Sequence, residues 1–291
     1  MKIIDTTTYF EEKLMMDLRF NILDPYIDKF VVCEARFSHS GKEKEIIFNK
    51  KDFPKFEEKI VHLVLDKEPD DIIKKENLSK SELRLNSVSR IRQQRNYIGL
   101  SLKNYSADDY IIHSDNDEIP NLENFDFIKN KQKIVIFKQR LFYYKFNLLL
   151  PNIDWFGSKA CKLKNLKNID LLRATKNKKY PFYRLDALFS DIKHQSIYLV
   201  ADGGWHFSNL KSIEELERKF LNDENHSDYE DQGFTIERIM NNIKNKSIDY
   251  NHKAKQNSSN RFTSSKLETA NTEILPNYIN ENIDKYKNWF D

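Results

Sequence analysis

Three short apolar runs constrain this chain more than any other feature. "KFVVCEA" (29–35), "KIVHLVL" (59–65) and "DDYIIHS" (108–114) each meet a carboxylate at or just past their end, namely Glu34, Asp66 and Asp115. Runs that stay apolar without alternation belong to strands buried on both faces, the texture of a parallel sheet covered by helices. Helical spacing fills the gaps between them. Phe10, Leu14, Leu18 and Ile22 share one helical face until Asp24-Pro25 ends the pattern, and a long polar stretch over 79–103 carries "VSRIRQQRNYIGLSL". With a short strand at 2–5, the order is β-α-β-α-β. It predicts an α/β fold with a largely parallel sheet and places ligands at the carboxyl ends of its strands.

Beyond residue 120 the texture changes. "KIVIFKQRLFYYKFNLLL" alternates and is rich in aromatics, which predicts antiparallel hairpin strands. "SIYLVADGGWHFS" reads as a further strand running into a Gly-Gly turn. "SIEELERKFL" and "DQGFTIERIMNNIK" have helical spacing, the first with a capping box from Ser212 to Glu215. Residues 251–272 are polar and poor in core formers, which predicts a loop, and "LPNYINENIDKYKNWF" is amphipathic again. The division expected is a main domain over 1–250, with 251–291 as an arm and amphipathic segment packing on it.

Composition narrows the function classes. An aromatic content of 13% argues for a packed core despite 32% charged residues, and a net charge of +3 demands no nucleic-acid partner. Cys33 and Cys161 are too few for a disulfide framework or a cysteine metal cluster, so a reducing compartment is expected. "MKIIDTTTYF" enters a strand-like run without a signal-type apolar core, and no window reaches about 18 uninterrupted apolar residues. The expectation is a cytoplasmic protein whose membrane contact is peripheral at most.

The chemistry concentrates in "IIHSDNDEIP". Asp115, Asp117 and Glu118 crowd the tip of the third run. Two Asp side chains two positions apart can converge on one divalent cation when a turn breaks the strand alternation, and hard oxygen donors suit Mg²⁺ or Mn²⁺. The same residues also make an ordinary acidic turn in which Asp115 caps backbone amides. Other stretches bear on the choice. In "RIRQQRN", Arg92 with Arg95, or Arg92 with Asn96, can share a helix face and reach one anion, unless that face is merely solvated. "GGWHFS" offers Trp205 and His206; the imidazole is either a structural residue or a third ligand. "DYEDQGF" concentrates Glu230 and Asp231 before a helix, as caps or as a general base for a hydroxyl nucleophile. "SGKEK" lacks the first glycine and the Ser/Thr of a P-loop.

Taken as ordered blocks, these residues resemble glycosyltransferase family 17, the family of the enzyme that adds bisecting GlcNAc to N-glycans. The blocks are "IDTTTYFEEKLMMDLRFNILDPYIDKFVVCEARFSHSGKEKEIIF", "RQQRNYIGL", "DDYIIHSDNDEIP", "WFGSKA" and "DGGWHFSNL", over roughly 3–245. The resemblance implies a GT-A-like, Rossmann-type fold with a mixed central sheet, a UDP-sugar donor with GlcNAc as the family default, Mn²⁺ or Mg²⁺, and inversion at the anomeric carbon. It implies direct coordination by Asp117, a ribose or metal contact for Asp115, and a third ligand in His206. Glu34 falls where such enzymes seat the uridine. Arg92, Arg95 and Asn96 fall in the block that holds the nucleotide or its phosphates, with Trp205 beside them. Asp231, then Glu230, would be the base by analogy of position. Animal members carry an anchor and stem; this chain starts close to the catalytic region, so the implied acceptor is a glycan or glycolipid rather than a luminal N-glycan. Two other classes could use the same residues: a metal-dependent phosphodiesterase or nuclease, and an inactive glycan-binding module built on the aromatic "RLFYYKF" region.

Overall fold

The computed structural model describes residues 1–123, 125–187, 189–224, 226–227, 235–254 and 263–291. Its first half is a parallel sheet: β1 (Ile3–Tyr9), β2 (Lys29–Ala35), β3 (Ile60–Leu65) and β4 (Tyr110–Ser114), in the order β3-β2-β1-β4. Helix α1 (Lys13–Leu23) joins β1 to β2 and α2 (Lys80–Tyr97) joins β3 to β4, while the β2–β3 connection carries two short 3-10 turns, Lys50–Asp52 and Glu57–Lys59. Alternation within each strand feeds two cores. Phe30 and Val32 of β2 join Leu18 and Phe20 of α1 on one face, while Val31 and Cys33 pack with Ile98 and Ile111 on the other. Both faces are covered, which is why the runs lack polar positions.

β1 is longer than the sequence suggests. It continues through Thr6, Thr7 and Thr8 because these hydroxyls find partners inside the sheet: Thr6 Oγ1 donates to the Ile112 carbonyl at 2.9 Å. Asp5 on the same strand is buried against Arg19 of α1, which forks onto both of its oxygens at 2.6 Å and donates its remaining terminal nitrogen to the Glu118 carbonyl at 2.6 Å. Bidentate geometry of this kind satisfies a buried guanidinium and locks α1 to the sheet.

The second half makes the sheet mixed. β5 (Glu118–Pro120) follows β4 after a short turn; then come β6 (Ile134–Tyr143), β7 (Leu148–Leu149) and β8 (Trp155–Lys162). β8 lies antiparallel between β4 and β6, and β6 and β7 form the expected antiparallel hairpin. The short helix α3 (Ile169–Ala174) follows. The single strand expected around the Gly-Gly turn is two strands, β9 (Ile197–Val200) and β10 (Gly204–Ser208), laid in line along β6. Gly204 makes the break possible: its φ is +121°, and a Cβ there would sit 2.2 Å from the Ile119 carbonyl oxygen. α4 (Ile213–Phe220), with both halves of its capping box formed, and α5 (Ile236–Lys244) pack over the β6–β7 end through Leu216, Phe220 and Ile239. β11 (Ser247–Ile248), β12 (Ser265–Lys266) and β13 (Glu268–Thr269) are short, with β13 pairing to β7 at the sheet's margin. The C-terminal helices α6 (Asn277–Glu281) and α7 (Ile283–Tyr286) return to α1, where Ile279 and Tyr286 are buried and the Tyr286 hydroxyl donates to Asp17 at 2.9 Å.

Candidate active site

The order β3-β2-β1-β4 reverses direction at β1, whose successors lie to one side and β4 to the other. Outside the carboxyl ends of β1 and β4 the connecting segments therefore part, and this is where open α/β sheets bind ligands. A pocket opens there, walled by Tyr9 and Phe10 after β1, Ala35 and Phe37 after β2, His39, Gln94 from α2, Asn116 after β4, and Lys219 from α4. Gln94 is fixed by its own bond to the Cys33 carbonyl at 2.8 Å. Burial lowers the pKa of His39, so its ring is neutral at pH 7. The pocket thus offers aromatic faces and the neutral groups of His39, Gln94 and Asn116, and the buried, ionised Glu12 carboxylate and the ammonium groups of Lys44 and Lys219 also line it.

The acidic cluster lies along one wall. β4 ends at Ser114, the chain turns through Asp115, Asn116 and Asp117, and β5 begins at Glu118. The turn sends the two Asp side chains to different partners. Asp115 accepts from Arg95 at 2.9 Å on one oxygen and from Arg173 at 2.6 Å on the other. Arg173 also donates to Glu118 at 2.8 Å, and Glu118 accepts from the Trp155 indole at 2.7 Å and the Asp115 amide at 3.1 Å. Burial alone would raise the Asp115 pKa; the two guanidinium groups outweigh it and hold the carboxyl well below the usual range.

Asp117 faces the crevice. Antiparallel pairing of β5 with β10 sets His206 opposite Glu118, and the Phe207 amide donates to the Asp117 carbonyl at 2.8 Å. The Asp117 carboxylate consequently lies 3.2 Å from His206 Nε2, with Lys219 Nζ 3.7 Å from its other oxygen. Burial opposes ionisation here too, and His206 with Lys219 overcomes it, lowering the pKa to about 2. His206 Nδ1 is buried without a partner among the described residues.

A second cavity, of about 520 Å³, lies beside Trp155, whose ring is 4.5 Å from that of His206. Trp155, Asp154, Lys159, Arg173, Lys176 and His252 line it. His252 is held by the Tyr143 hydroxyl at 2.6 Å, and burial lowers its pKa to about 4, so it is neutral at pH 7. Lys159 donates to the carbonyls of Arg173 and Thr175 at 2.6 and 2.5 Å, where it caps the C-terminal end of α3 and fixes Arg173. Burial, then the nearby Arg173 charge, lowers the Lys159 pKa to about 7.

The residues singled out from sequence divide accordingly. Asp117 and His206 come together at the crevice, and Arg95 and Asp115 stand directly behind them. Asn96 lies one step further back, its side-chain oxygen accepting from the Asp170 amide at the start of α3 at 3.0 Å. Arg92 points to solvent, 3.9 Å from Asp170. Glu34 is fully buried, and its oxygens accept from Lys44 at 2.6 Å and from the amides of Ile47 and Phe48 at 3.0 Å, so it shapes the loop beside the pocket rather than facing it. Trp205 alternates to the face opposite His206, enters the core, and donates to the Ile274 carbonyl at 2.7 Å. Glu230 and Asp231 lie outside the described residues. Sequence reasoning did not reach Arg173, Lys219, Gln94 or Lys159. Single cations in short helices and a buried lysine in a strand carry no periodic signal.

A divalent cation is implied by the acidic cluster, and the donors present fit one. Asp117 is held ionised, the nearby imidazole is an N donor that Mn²⁺ accepts, and the distance between the two is what two ligands on one ion would have. No group of three His, Cys, Asp or Glu side chains suited to a metal occurs among the described residues.

Comparison with known proteins adds the following. The family model described as "Glycosyltransferase family 17" matches residues 1–290. A search of curated proteins returned no match. Among solved structures, HddC from Yersinia pseudotuberculosis, in a crystal structure complexed with GMP-PN, is 7% identical with a TM-score of 0.29, covering 69% of this chain and 91% of that one. A second HddC structure from the same organism is 8% identical with the same TM-score and coverage. No helix among the described residues is long and apolar enough to cross a membrane.

Proposed function

The chain belongs to glycosyltransferase family 17, and from that premise we propose that it is an inverting, metal-dependent transferase. It moves a sugar, GlcNAc by family default, from a UDP-sugar to the hydroxyl of a glycan or glycolipid. The observation that carries this reading is the crevice beyond β1 and β4, where an aromatic-walled pocket is lined by Asn116 and by Lys219, whose ammonium lies 3.7 Å from the carboxylate that His206 also meets, Asp117. The nucleoside occupies the pocket, with its base against Phe10 or Phe37 and hydrogen bonds from Gln94 and Asn116. Asp117 and His206 would hold the cation, which when bound would supply charge neutralisation for the departing diphosphate. Lys219 adds a fixed positive charge where negative charge develops, and such preorganised groups contribute most when water is excluded.

Behind this contact layer Arg173 bridges Asp115 and Glu118, so the turn that presents Asp117 is held without help from substrate. The acceptor enters by the second cavity, past Trp155, whose ring offers a stacking face for a sugar. A carboxylate takes the acceptor proton as the new bond forms at the anomeric carbon and the bond to UDP breaks on the opposite face; Asp231 or Glu230 remains the proposed base.

A thermal-shift panel of nucleotide sugars, UDP and GDP tests the reading. UDP and Mn²⁺ together should raise the melting temperature, by an amount equivalent to about 2.7 kcal/mol at a hundredfold excess over Kd. Either alone should do little, and Asp117→Ala should abolish the joint effect. Equal stabilisation of wild type and Asp117→Ala, or none by any nucleotide, would overturn the assignment.

A further inference from the structure

The sequence 176–186 leaves α3 and crosses the surface, and it carries four cationic side chains (Lys176, Lys178, Lys179 and Arg184) against one acidic side chain, Asp186. That excess of three equals the formal net charge of the entire chain, +3, so the rest of the molecule is close to neutral. The same stretch exposes large apolar side chains: Phe182 is 84% exposed, Tyr183 68% and Leu185 66%, with Phe189 90% exposed just beyond. Isolated exposed apolar residues are ordinary, but four within eight positions are not.

The cations and the aromatics occupy one place. The side chains of Lys178, Arg184 and Lys193 each approach the Tyr180 ring, at 5.8 to 5.9 Å from its centroid. Phe182 and Tyr183 meet edge to face at 5.7 Å, next to that group. The Tyr180 amide is tied to the His194 carbonyl at 3.1 Å, so the aromatic tip stands on a paired backbone. At the base of the exposed rings Asp186 accepts from Arg184 at 2.8 and 3.0 Å and from Lys193 at 2.8 Å, which fixes those two cations and leaves the exposed Lys176, Lys178 and Lys179 as the excess charge.

We propose that this surface docks the protein on an anionic lipid bilayer, with Phe182, Tyr183 and Phe189 entering the interfacial region and Lys176, Lys178 and Lys179 meeting lipid phosphates, while Arg184 stays forked on Asp186 at 2.8 and 3.0 Å. Charge complementarity decides the occupant. Aromatic and aliphatic side chains favour the headgroup–acyl boundary, and clustered Lys and Arg add attraction that scales with anionic lipid. Lys176 is shared with the second cavity, so a docked protein would present that cavity to the membrane surface. The corollary, that a lipid-borne hydroxyl enters there, rests on the transferase reading; the docking itself does not.

Vesicle sedimentation tests the docking without donor, metal or acceptor. Wild type should sediment with phosphatidylglycerol-containing vesicles at low salt, bind pure phosphatidylcholine vesicles at least tenfold more weakly, and be released by 0.5 M salt, conditions under which the Debye length falls below about 5 Å. Phe182→Ser with Phe189→Ser should lower the apparent affinity about tenfold. Lys178→Glu with Lys179→Glu should lower it by about fivefold per side chain or more. All four positions are on the surface loop, so the urea unfolding midpoint of these variants should match wild type, which separates lost docking from lost folding without recourse to any ligand. Failure of the wild type to bind anionic vesicles would overturn the proposal. So would variants that bind like wild type, or variants whose only change is a smaller oligomer by light scattering, because that would make the surface a protein–protein contact. Failure of the transferase reading would leave the vesicle result unchanged.

Discussion

Asp117→Asn separates what the crevice carboxylate does for the fold from what it does for chemistry. The side chain keeps its size and an oxygen near His206 but loses its charge. In the wild type that charge is stabilised: burial works against it, while His206 at 3.2 Å and Lys219 at 3.7 Å lower its pKa to about 2 from 3.8. The difference is worth about 2 kcal/mol of stability at neutral pH. The sign follows from proton counting. The folded pKa lies below the unfolded one, so the contribution is fully present well above pH 3.8 and is lost as pH falls toward 2. Roughly half should be gone at pH 3. The assay is urea unfolding with chelator present, from pH 7 to pH 3. Asp117→Asn should be less stable by about 2 kcal/mol at pH 7, and the gap should narrow to about 1 kcal/mol at pH 3. Sugar transfer should fall by about a hundredfold or more, the scale on which removing one group aimed at developing charge acts. A gap independent of pH would refute the electrostatic account. A variant with wild-type turnover would refute the placement of Asp117 at the reacting phosphates.

Three further outcomes follow from the surrounding structure. Arg173→Met leaves Asp115 and the fully buried Glu118 without their shared guanidinium, and it should cost about 3–5 kcal/mol by chemical denaturation; a change within 0.5 kcal/mol would mean the bridge is dispensable. Lys159 has a folded pKa of about 7 against an ordinary 10.5, so between those values the unfolded chain binds the extra proton and stability from this group rises with pH. The stability difference between wild type and Lys159→Met should therefore grow in favour of wild type by about 2 kcal/mol from pH 7 to pH 8.5, and parallel curves would contradict it. Gly204→Ala places a methyl 2.2 Å from the Ile119 carbonyl oxygen at a φ of +121°, and it should cost about 1–3 kcal/mol or more, read as a lowered urea midpoint; an unchanged midpoint would show that the β9–β10 break relaxes freely.

Much of the frame was legible because burial on both faces writes itself into sequence. "KFVVCEA", "KIVHLVL" and "YIIHS" are apolar at consecutive positions because Phe30 and Val31 point into different cores. β1 was legible only at its start. The expected strand stopped at Asp5, and what carries it on through the threonines is Arg19 on Asp5 and the Thr6 hydroxyl on Ile112, partners more than ten residues away. The Gly-Gly pair was visible, but that it divides one line of strand alongside β6 depends on how closely Ile119 and Lys138 approach the backbone. At the site, Asp117 with His206 could be anticipated from residue type. Trp205 and Glu34 could not be placed, since strand alternation puts Trp205 in the core and the 44–48 loop draws both oxygens of Glu34 inward.

Asp115 and Asp117 are two positions apart, yet their surroundings give them different work. Asp115 has a guanidinium on each oxygen, and through Arg173 it is joined to Glu118 and so to the first residue of β5. Among the described residues Asp117 meets an imidazole and, at longer range, the ammonium of Lys219, which lines the pocket. A carboxylate that must exchange partners during a catalytic cycle needs contacts weak enough to leave, and one that positions it needs contacts that stay. The two arginines supply the second kind, Arg173 with two nitrogens on one Asp115 oxygen and Arg95 on the other; the histidine and lysine supply the first. The local backbone enforces the split: the Asp115 amide is held by Glu118, the Asp117 carbonyl is held by Phe207, and the turn between them has no freedom to bring the two carboxylates to one point without breaking a bond to β5 or β10. The arginine layer therefore sets how rigidly Asp117 is presented, and the crevice can meet a phosphate-bound cation with its own geometry already in place.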